Sequence, residues 1–367
     1  MEGPRALNAS ELPSLSRLLD AVFRSGQEGL MLRQYPQLFN LQNLDNSLVM
    51  SDDRRIVCHV GMTERWASFG GCKVEVACIG AVATYEEYRS RGLATRTFQA
   101  ACDKARADGI DLMMISGDRG LYRRAGATKV GRDWNATLDL EAVQRLADPG
   151  VHVAAFLEAD LLLCVTAYSG KLAHFIRPPE DWRGFLKSGY CMNRRARFLL
   201  VHRGSVFCGY LIVSEPNAEG LCAVLEFAGE QSALAAALRS LTEYMECTSV
   251  RVHLQPFDFT LHTLLSQAGA YIEPAPTSGT LLLINVEQFM QRLTPWFIHR
   301  LGPNHAERFR YGPDRDGYVL KVDDQALSVK DKAALAEALF GQPAVELPSP
   351  FNEVFPLPAL WYGINYV

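Results

Sequence analysis

Two arginines, a glycine and three hydroxyl side chains crowd into "YRSRGLAT", Tyr88 to Thr95. The stretch follows the apolar run "VEVACIGAVAT" and precedes a helix-like "RTFQAACDKARA", so it stands where a strand hands over to a helix. A helix N-terminus exposes unpaired N–H groups and partial positive charge, which makes it an anion site. Arg89 and Arg91 add full charges suited to phosphate oxygens, and Ser90 and Thr95 add hydroxyl donors. Gly92 admits an unusual torsion or a close approach, and Ala94 keeps the next turn uncrowded. The stretch reads as a pyrophosphate cradle, although the same spacing suits a basic loop before a solvated helix. No Gly-x-Gly-x-x-Gly opens a helix and no Gly-Lys-Ser/Thr occurs, so the common dinucleotide and triphosphate loops do not fit.

The elements that must position these residues belong to a chain of 367 residues, long enough for two or three domains. A net charge of −4 gives no support to nucleic-acid binding and suits a small cationic substrate. Nine cysteines are scattered singly, without a CxxC pair, and no HExxH or other metal spacing occurs. They read as buried free thiols in a reducing cytoplasm. The start "MEGPRALNASELPSL" lacks a basic-then-apolar signal and no run reaches membrane-spanning length. A soluble cytoplasmic protein is expected, with no metal, no nucleic-acid partner and no membrane.

"ASELPSLSRLLDAVFRS" predicts a first helix with Ser10 as N-cap. A strand meander from Ser47 to Thr84 follows, broken at Ser51-Asp52-Asp53 and Gly70-Gly71. The segment 96–110 predicts an amphipathic helix ended by Gly109, "DLMMIS" a buried strand, and "RGLYRRAGATKVG" a short helix leading into another strand. Pro149-Gly150 marks a boundary. Beyond it the chain echoes itself. With Val82 set against Leu225 and no gaps, Ala125-Gly126-Ala127 falls on Ala268-Gly269-Ala270 in the same order of elements. In that register Arg89, Gly92 and Tyr122 meet Ser232, Ala235 and Leu265, so the second copy keeps a scaffold and loses the chemistry. From Val286 onward two helices or one long one, a hairpin, and a helix stopped by Gly341 are expected. The aromatic tail "LWYGINYV" is too apolar to stay in water and is expected to pack.

The strand ending Val82-Ala83-Thr84, Arg89-x-x-Gly92-x-Ala94 and Leu121-Tyr122-x-x-Ala125-Gly126 together resemble the GNAT superfamily of N-acetyltransferases over about the first 145 residues. The resemblance implies acetyl-CoA as co-substrate, its pyrophosphate on the amides of Arg91, Gly92, Leu93, Ala94 and Thr95. It puts the pantetheine arm along Val82, Ala83 and Thr84, with Val82's N–H as oxyanion donor. Tyr122 becomes the acid that protonates the departing thiolate, a role its usual pKa of about 10 permits.

Two such units and a short third one resemble the narrower enhanced intracellular survival (Eis) family, which acetylates amines and aminoglycosides. The implied fold class is mixed α/β. It comprises tandem GNAT folds, each a mostly antiparallel sheet with flanking helices, and a small C-terminal domain similar to sterol carrier proteins. The expected domains are 1–147, 148–287 and 288–367. In that family the terminal carboxylate enters the first site as general base, here Val367's. Glu75, Glu86, Asp118 and His59 are the other candidates for the base. "LMLRQYPQLF", Trp66 and "RPPEDWRGFLKSGY" are candidate walls for the acceptor amine, and His152, His174 and His262 read as structural or surface residues. The expected function is acetyl transfer to a primary amine of a small cationic substrate, such as a polyamine or aminoglycoside, in a chain that could form homo-oligomers. The alternatives are a peptide or protein amine, a longer acyl group, or a non-catalytic acyl-CoA or small-ligand sensor.

Overall fold

The structure is a computed structural model and describes residues 1–24, 27–303, 309–314, 317–342 and 346–367. The chain begins with β1 (Glu2–Ala6), α1 (Leu12–Phe23) and α2 (Leu30–Gln34), then runs through a meander of β2 (Ser47–Asp52), β3 (Arg55–Phe69) and β4 (Cys72–Thr84). The expected Ser10 cap is displaced: the Glu11 carboxylate accepts from the Asn8 N–H at 3.0 Å, closing a 3-10 turn ahead of α1. The Gly70-Gly71 turn forms with successive positive φ (55° and 89°), and the turn expected over Ser51-Asp52-Asp53 lies further on, at Asp53-Arg54 (45° and 64°), because Ser51 and Asp52 stay paired in β2. That is the twist that suits tightly joined strands.

Next come α3 (Leu93–Ala107), β5 (Leu112–Ile115) and α4 (Gly120–Arg124). The buried residues of α3 are Leu93, Thr97, Phe98, Ala101, Cys102 and Ala105, one stripe at helical spacing that lies on the sheet. Thereafter the chain runs β6 (Asp133–Asp139), α5 (Leu140–Arg145), β7 (Val151–Ala155), α6 (Leu161–Ser169), β8 (Ala173–Phe175), α7 (Pro179–Ser188), β9 (Tyr190–Cys191), β10 (Arg194–Arg203) and β11 (Val206–Ser214). β12 (Leu221–Gly229), α8 (Gln231–Met245), β13 (Ser249–Leu254), α9 (Phe259–Gln267), β14 (Tyr271–Ala275) and β15 (Thr280–Leu283) complete the two larger sheets.

The internal repeat is present in the topology. β4 pairs antiparallel with β3 and, through α3, parallel with β5; β12 pairs antiparallel with β11 and, through α8, parallel with β13. The constant offset holds at the end of each unit. Ala127 N–H bonds to Tyr122 C=O and Ala270 N–H to Leu265 C=O, both at 3.0 Å, around glycines with φ of 95° and 90°. It slips at the second long helix, which begins at Gln231 rather than at the Ala236 set against Leu93.

Sheet membership crosses the expected boundaries at 147 and 287. The first sheet runs β1-β2-β3-β4-β5-β15, with β8 also on β3, and the second runs β14-β6-β13-β12-β11-β10-β7. Each half thus lends a strand to the other: β6 lies between β13 and β14, and β15 closes the first sheet beside β5. Beyond β15 two helices, Val286–Arg292 and Thr294–Leu301, lead to a three-stranded antiparallel sheet and the helix Lys332–Phe340. Phe289 and Phe340 meet Phe69 of β3 edge-on, so this unit shares the first unit's core. All nine cysteines are buried and unpaired. Among the described residues no helix is long and apolar enough to cross a membrane.

Candidate active site

Pairing between β4 and β5 stops at Ile79 and Ile115, where Ser116 turns back and donates through its N–H (3.0 Å) and Oγ (3.1 Å) to Ile79 C=O. β4 continues to Thr84 with β3 on one side alone. Between the pairs His59–Ala83 and Gly61–Gly80 an extra residue bulges from β4, and Ala81 takes a φ of 51°. Tyr85 N–H bonds to Val57 C=O of β3. Strand alternation therefore turns the backbone edges of Thr84 and Val82 the other way, into the splay that β5 has vacated.

His59 sustains the bulge. Its Nδ1–H donates to Ala81 C=O at 2.8 Å, which fixes the tautomer, and its Nε2 is buried without a partner among the described residues. Burial drives its pKa down to about 4, so the ring is neutral at physiological pH. A fully buried neutral imidazole facing a backbone carbonyl is a prop for the strand.

The segment expected to cradle an anion lies at the same end of the sheet. Gly92 caps α3 with a φ of 73°, Ser90 has a φ of 61°, and Arg96 N–H is the first to bond back into the helix, at Gly92 C=O. The N–H groups of Leu93, Ala94 and Thr95 are left for a ligand. A side chain added at Gly92 would meet nothing within 4 Å among the described residues, so the approach is open. The two arginines divide. Arg91 donates to Glu87 C=O and lies over the Tyr88 ring, whereas Arg89 stands exposed without a partner among the described residues. Leu93 anchors the helix start against Met50, Val57 and Cys58. These features fit a pyrophosphate followed by an amide-rich arm.

Tyr122 reaches a cavity of about 130 Å³ bounded by Gly80, Ala81, Val82 and Val367. Its ring packs edge-on to Phe98 at 5.2 Å, its hydroxyl has no partner among the described residues, and burial raises its pKa, with Arg119 opposing. The far wall is Phe23, Arg24, Met31, Tyr35 and Asn193. Met31 and Tyr35 belong to the predicted wall segment. Arg24 and Asn193 carried no sequence signal; they are hydrogen-bonded to each other at 2.8 Å, and Asn193 also accepts from the Tyr35 hydroxyl.

Val367 is buried, and its carboxyl group lies directly against Gly80 Cα: a methyl added there would overlap the carboxyl carbon and oxygen. Gln37 Nε2 donates to Tyr366 C=O at 2.8 Å, holding the last peptide in place.

The remaining candidate carboxylates are elsewhere. Glu75 sits near the other end of β4, facing Arg292 beside Asp111. Glu86 is exposed outside the cavity. Asp118 is held by Arg123 at 2.6 Å and Lys129 at 3.3 Å, which pull its pKa down to about 2. Trp66 lies under Arg292 away from the cavity. Within "RPPEDWRGFLKSGY", Trp182 and Phe185 are core of the second unit, and α7 backs the wall through Gly184 against Pro36. A larger cavity of about 340 Å³ in the C-terminal unit, between Arg132 and Glu337, contains none of these residues.

Residues 4–130 match the family described as acetyltransferase (GNAT) domain. Among solved structures the chain is similar to a GCN5-related N-acetyltransferase from Anabaena variabilis, with 16% identity, 92% of this chain and 89% of that one covered, and a TM-score of 0.65. A protein of unknown function from Enterococcus faecalis, described as a probable N-acyltransferase, is similar at 15% identity, 92% and 89% coverage and a TM-score of 0.66. Eis1 from Mycobacterium abscessus is similar at 14% identity, with 96% of each chain covered and a TM-score of 0.59. At such identities the likeness is one of fold. No curated protein matches in sequence.

Proposed function

We propose that this chain, whose residues 4–130 match the GNAT acetyltransferase domain family, is an acetyl-CoA-dependent acyltransferase that acetylates a primary amine by direct transfer. The observation that carries this reading is the cavity shared by Tyr122, the β4 bulge and the carboxyl group of Val367. Acetyl-CoA supplies the activated thioester. The amides of Arg91 to Thr95, with Arg89, hold its pyrophosphate, and the free edge of β4 from Val82 to Thr84 holds its amide-rich arm.

With the chain ending at Val367, the carboxylate takes a proton from the acceptor's ammonium group and frees the nitrogen lone pair to attack the thioester carbon. Val82 N–H stabilises the negative charge developing on the carbonyl oxygen. As the carbon–sulfur bond breaks, the nitrogen gives up its second proton to solvent on becoming an amide, and Tyr122 Oη gives its own proton to the sulfur and recovers one from solvent. The raised pKa of Tyr122 keeps that proton available at neutral pH. On the same reading the three units are two GNAT copies, the second without chemistry, and a small sterol-carrier-like domain.

The acceptor's chemistry is constrained by the wall. Arg24 and Arg119 line the cavity, and no aspartate or glutamate side chain does so among the described residues. A polycation would meet two guanidinium groups with one carboxylate to balance them. That favours an amine on a neutral or anionic body over the expected polyamine or aminoglycoside. The test is thiol release from acetyl-CoA with a panel of amino-acid amides, amino acids, polyamines and aminoglycosides. Faster turnover of the neutral and anionic amines is expected; a strict preference for polycations would overturn the electrostatic argument, and no turnover with any amine would favour a sensor.

A further inference from the structure

The second copy has lost the residues for chemistry, yet its cleft is intact. β12 and β13 part after Val224 and Val252, as β4 and β5 part after Ile79 and Ile115. The pairing of β11 with β12 jumps from Ile212–Glu226 to Val213–Val224, leaving Leu225 as the bulged residue. Leu225 is the residue that the internal offset sets against Val82. The bulge has thus been kept where the acetyl donor no longer has a cradle.

That cleft is filled by the chain's own tail. The Trp361 indole N–H donates to Leu225 C=O at 2.6 Å, and its ring stacks on His253 at 3.7 Å. Gln255, the residue after β13 as Ser116 is the residue after β5, donates to Ala359 C=O at 2.5 Å. Next to the bulge, Glu226 accepts from Ile364 N–H at 3.2 Å and from the Tyr210 hydroxyl at 2.7 Å, and it pairs with the buried Arg177 through two bonds of 2.7 and 2.6 Å. Arg177 Nε in turn donates to the Asn365 side chain at 2.6 Å. Gly363 packs so tightly on Glu226 that a Cβ would collide with the carboxylate.

We infer that the cleft of the second copy is a docking site for residues 359–365, and that it positions the Val367 carboxylate in the first copy. This rests on the reading of Val367 as base. Trp361, the tail's anchor, and Gln255, Glu226 and Arg177, which hold the tail, are positioning residues: none touches the reacting atoms. One copy performs the transfer, and the other uses the same bulge to hold the segment that completes it.

The test uses the full chain with Trp361→Phe, which keeps an aromatic ring and removes the N–H donor, and Gly363→Ala as a stronger displacement. Each is compared in intact chains and in chains lacking Val367. Release of Val367 by a carboxypeptidase reads the docking directly, and thiol release reads the reaction. The expected result is faster release of Val367 and a kcat lowered about tenfold or more, with KM for acetyl-CoA and the cooperative melting retained. In the chain lacking Val367 the same substitutions should cause no further loss of turnover. Unchanged protection of Val367 in both variants would overturn the docking inference. Lost protection with undiminished turnover, or full turnover without Val367, would instead remove the base assignment and leave the docking standing.

Discussion

Gly80→Ala tests the site at its tightest point. The side chain would enter the space held by the Val367 carboxyl group and come within 3.0 Å of its Cγ2. Ordinary carbon contact is about 3.5 Å, and overlap with the carboxyl carbon exceeds roughly 1 Å. A buried terminal residue has no flexible end with which to relieve that overlap, so the carboxylate must move by about the same amount. Gly80 has an ordinary negative φ, so alanine adds no torsional strain there. Misplacing a catalytic group by about 1 Å costs on the order of 10²-fold in rate, and full ejection costs the whole contribution of the base, roughly 10²–10⁴-fold. The assay is thiol release at saturating acetyl-CoA, beside calorimetric acetyl-CoA affinity for the same protein. A kcat lowered by about 10² or more with acetyl-CoA binding retained is expected, and deletion of Val367 from the variant should lower it no further. Wild-type turnover by Gly80→Ala, with Val367 still protected from carboxypeptidase, would refute the reasoning.

Tyr122→Phe should lower kcat by roughly 10²–10⁴-fold without weakening acetyl-CoA binding, and the alkaline limb assigned to Tyr122 should lie above pH 10, because burial raises its pKa. Arg89→Ala removes an exposed guanidinium whose bond to a phosphate is worth about 1.5–3 kcal/mol. Acetyl-CoA affinity measured by calorimetry should fall about tenfold or more, and less at high salt, while saturated turnover persists. His59 titrates at about 4 when folded and near 6.5 when unfolded, so below pH 6.5 the unfolded chain binds the extra proton. Its effect on stability is absent above pH 6.5 and grows as pH falls toward 4, to a loss on the order of 3 kcal/mol. Urea midpoints from pH 7 to 4.5 should fall more steeply for the wild type than for His59→Gln; parallel curves would exclude His59 as the source.

The strand-to-helix junction at Gly92 was legible because its physics is local: a strand end, Gly92 and the first turn of α3 lie within a dozen residues. The repeat was legible for a related reason, since Leu225 and Ala268-Gly269-Ala270 are fixed by turns and bulges that recur at constant spacing. Partnership over distance was not. Glu75 looks like an available carboxylate until Arg292, more than two hundred residues on, faces it. His59 has the residue type of a base, and only burial against the Ala81 carbonyl makes it a prop. Arg24 and Asn193 come from separate loops, so neither had a neighbour in sequence to announce the wall.

The exchange of β6 and β15 was hidden for the same reason, because short apolar strands do not state which sheet they join. Yet that exchange is what the tail requires. From Trp361 at one bulge to Val367 at the other there are six residues, which reach about 20 Å at full extension. Two units joined by a mobile linker would drift by that much and carry the carboxylate away from Gly80. With β6 clamped between β13 and β14, and β15 sealed onto β5, the two bulges are tied by strand hydrogen bonds. A short tail can then span them at a fixed length, and the position of one carboxylate becomes a property of both sheets.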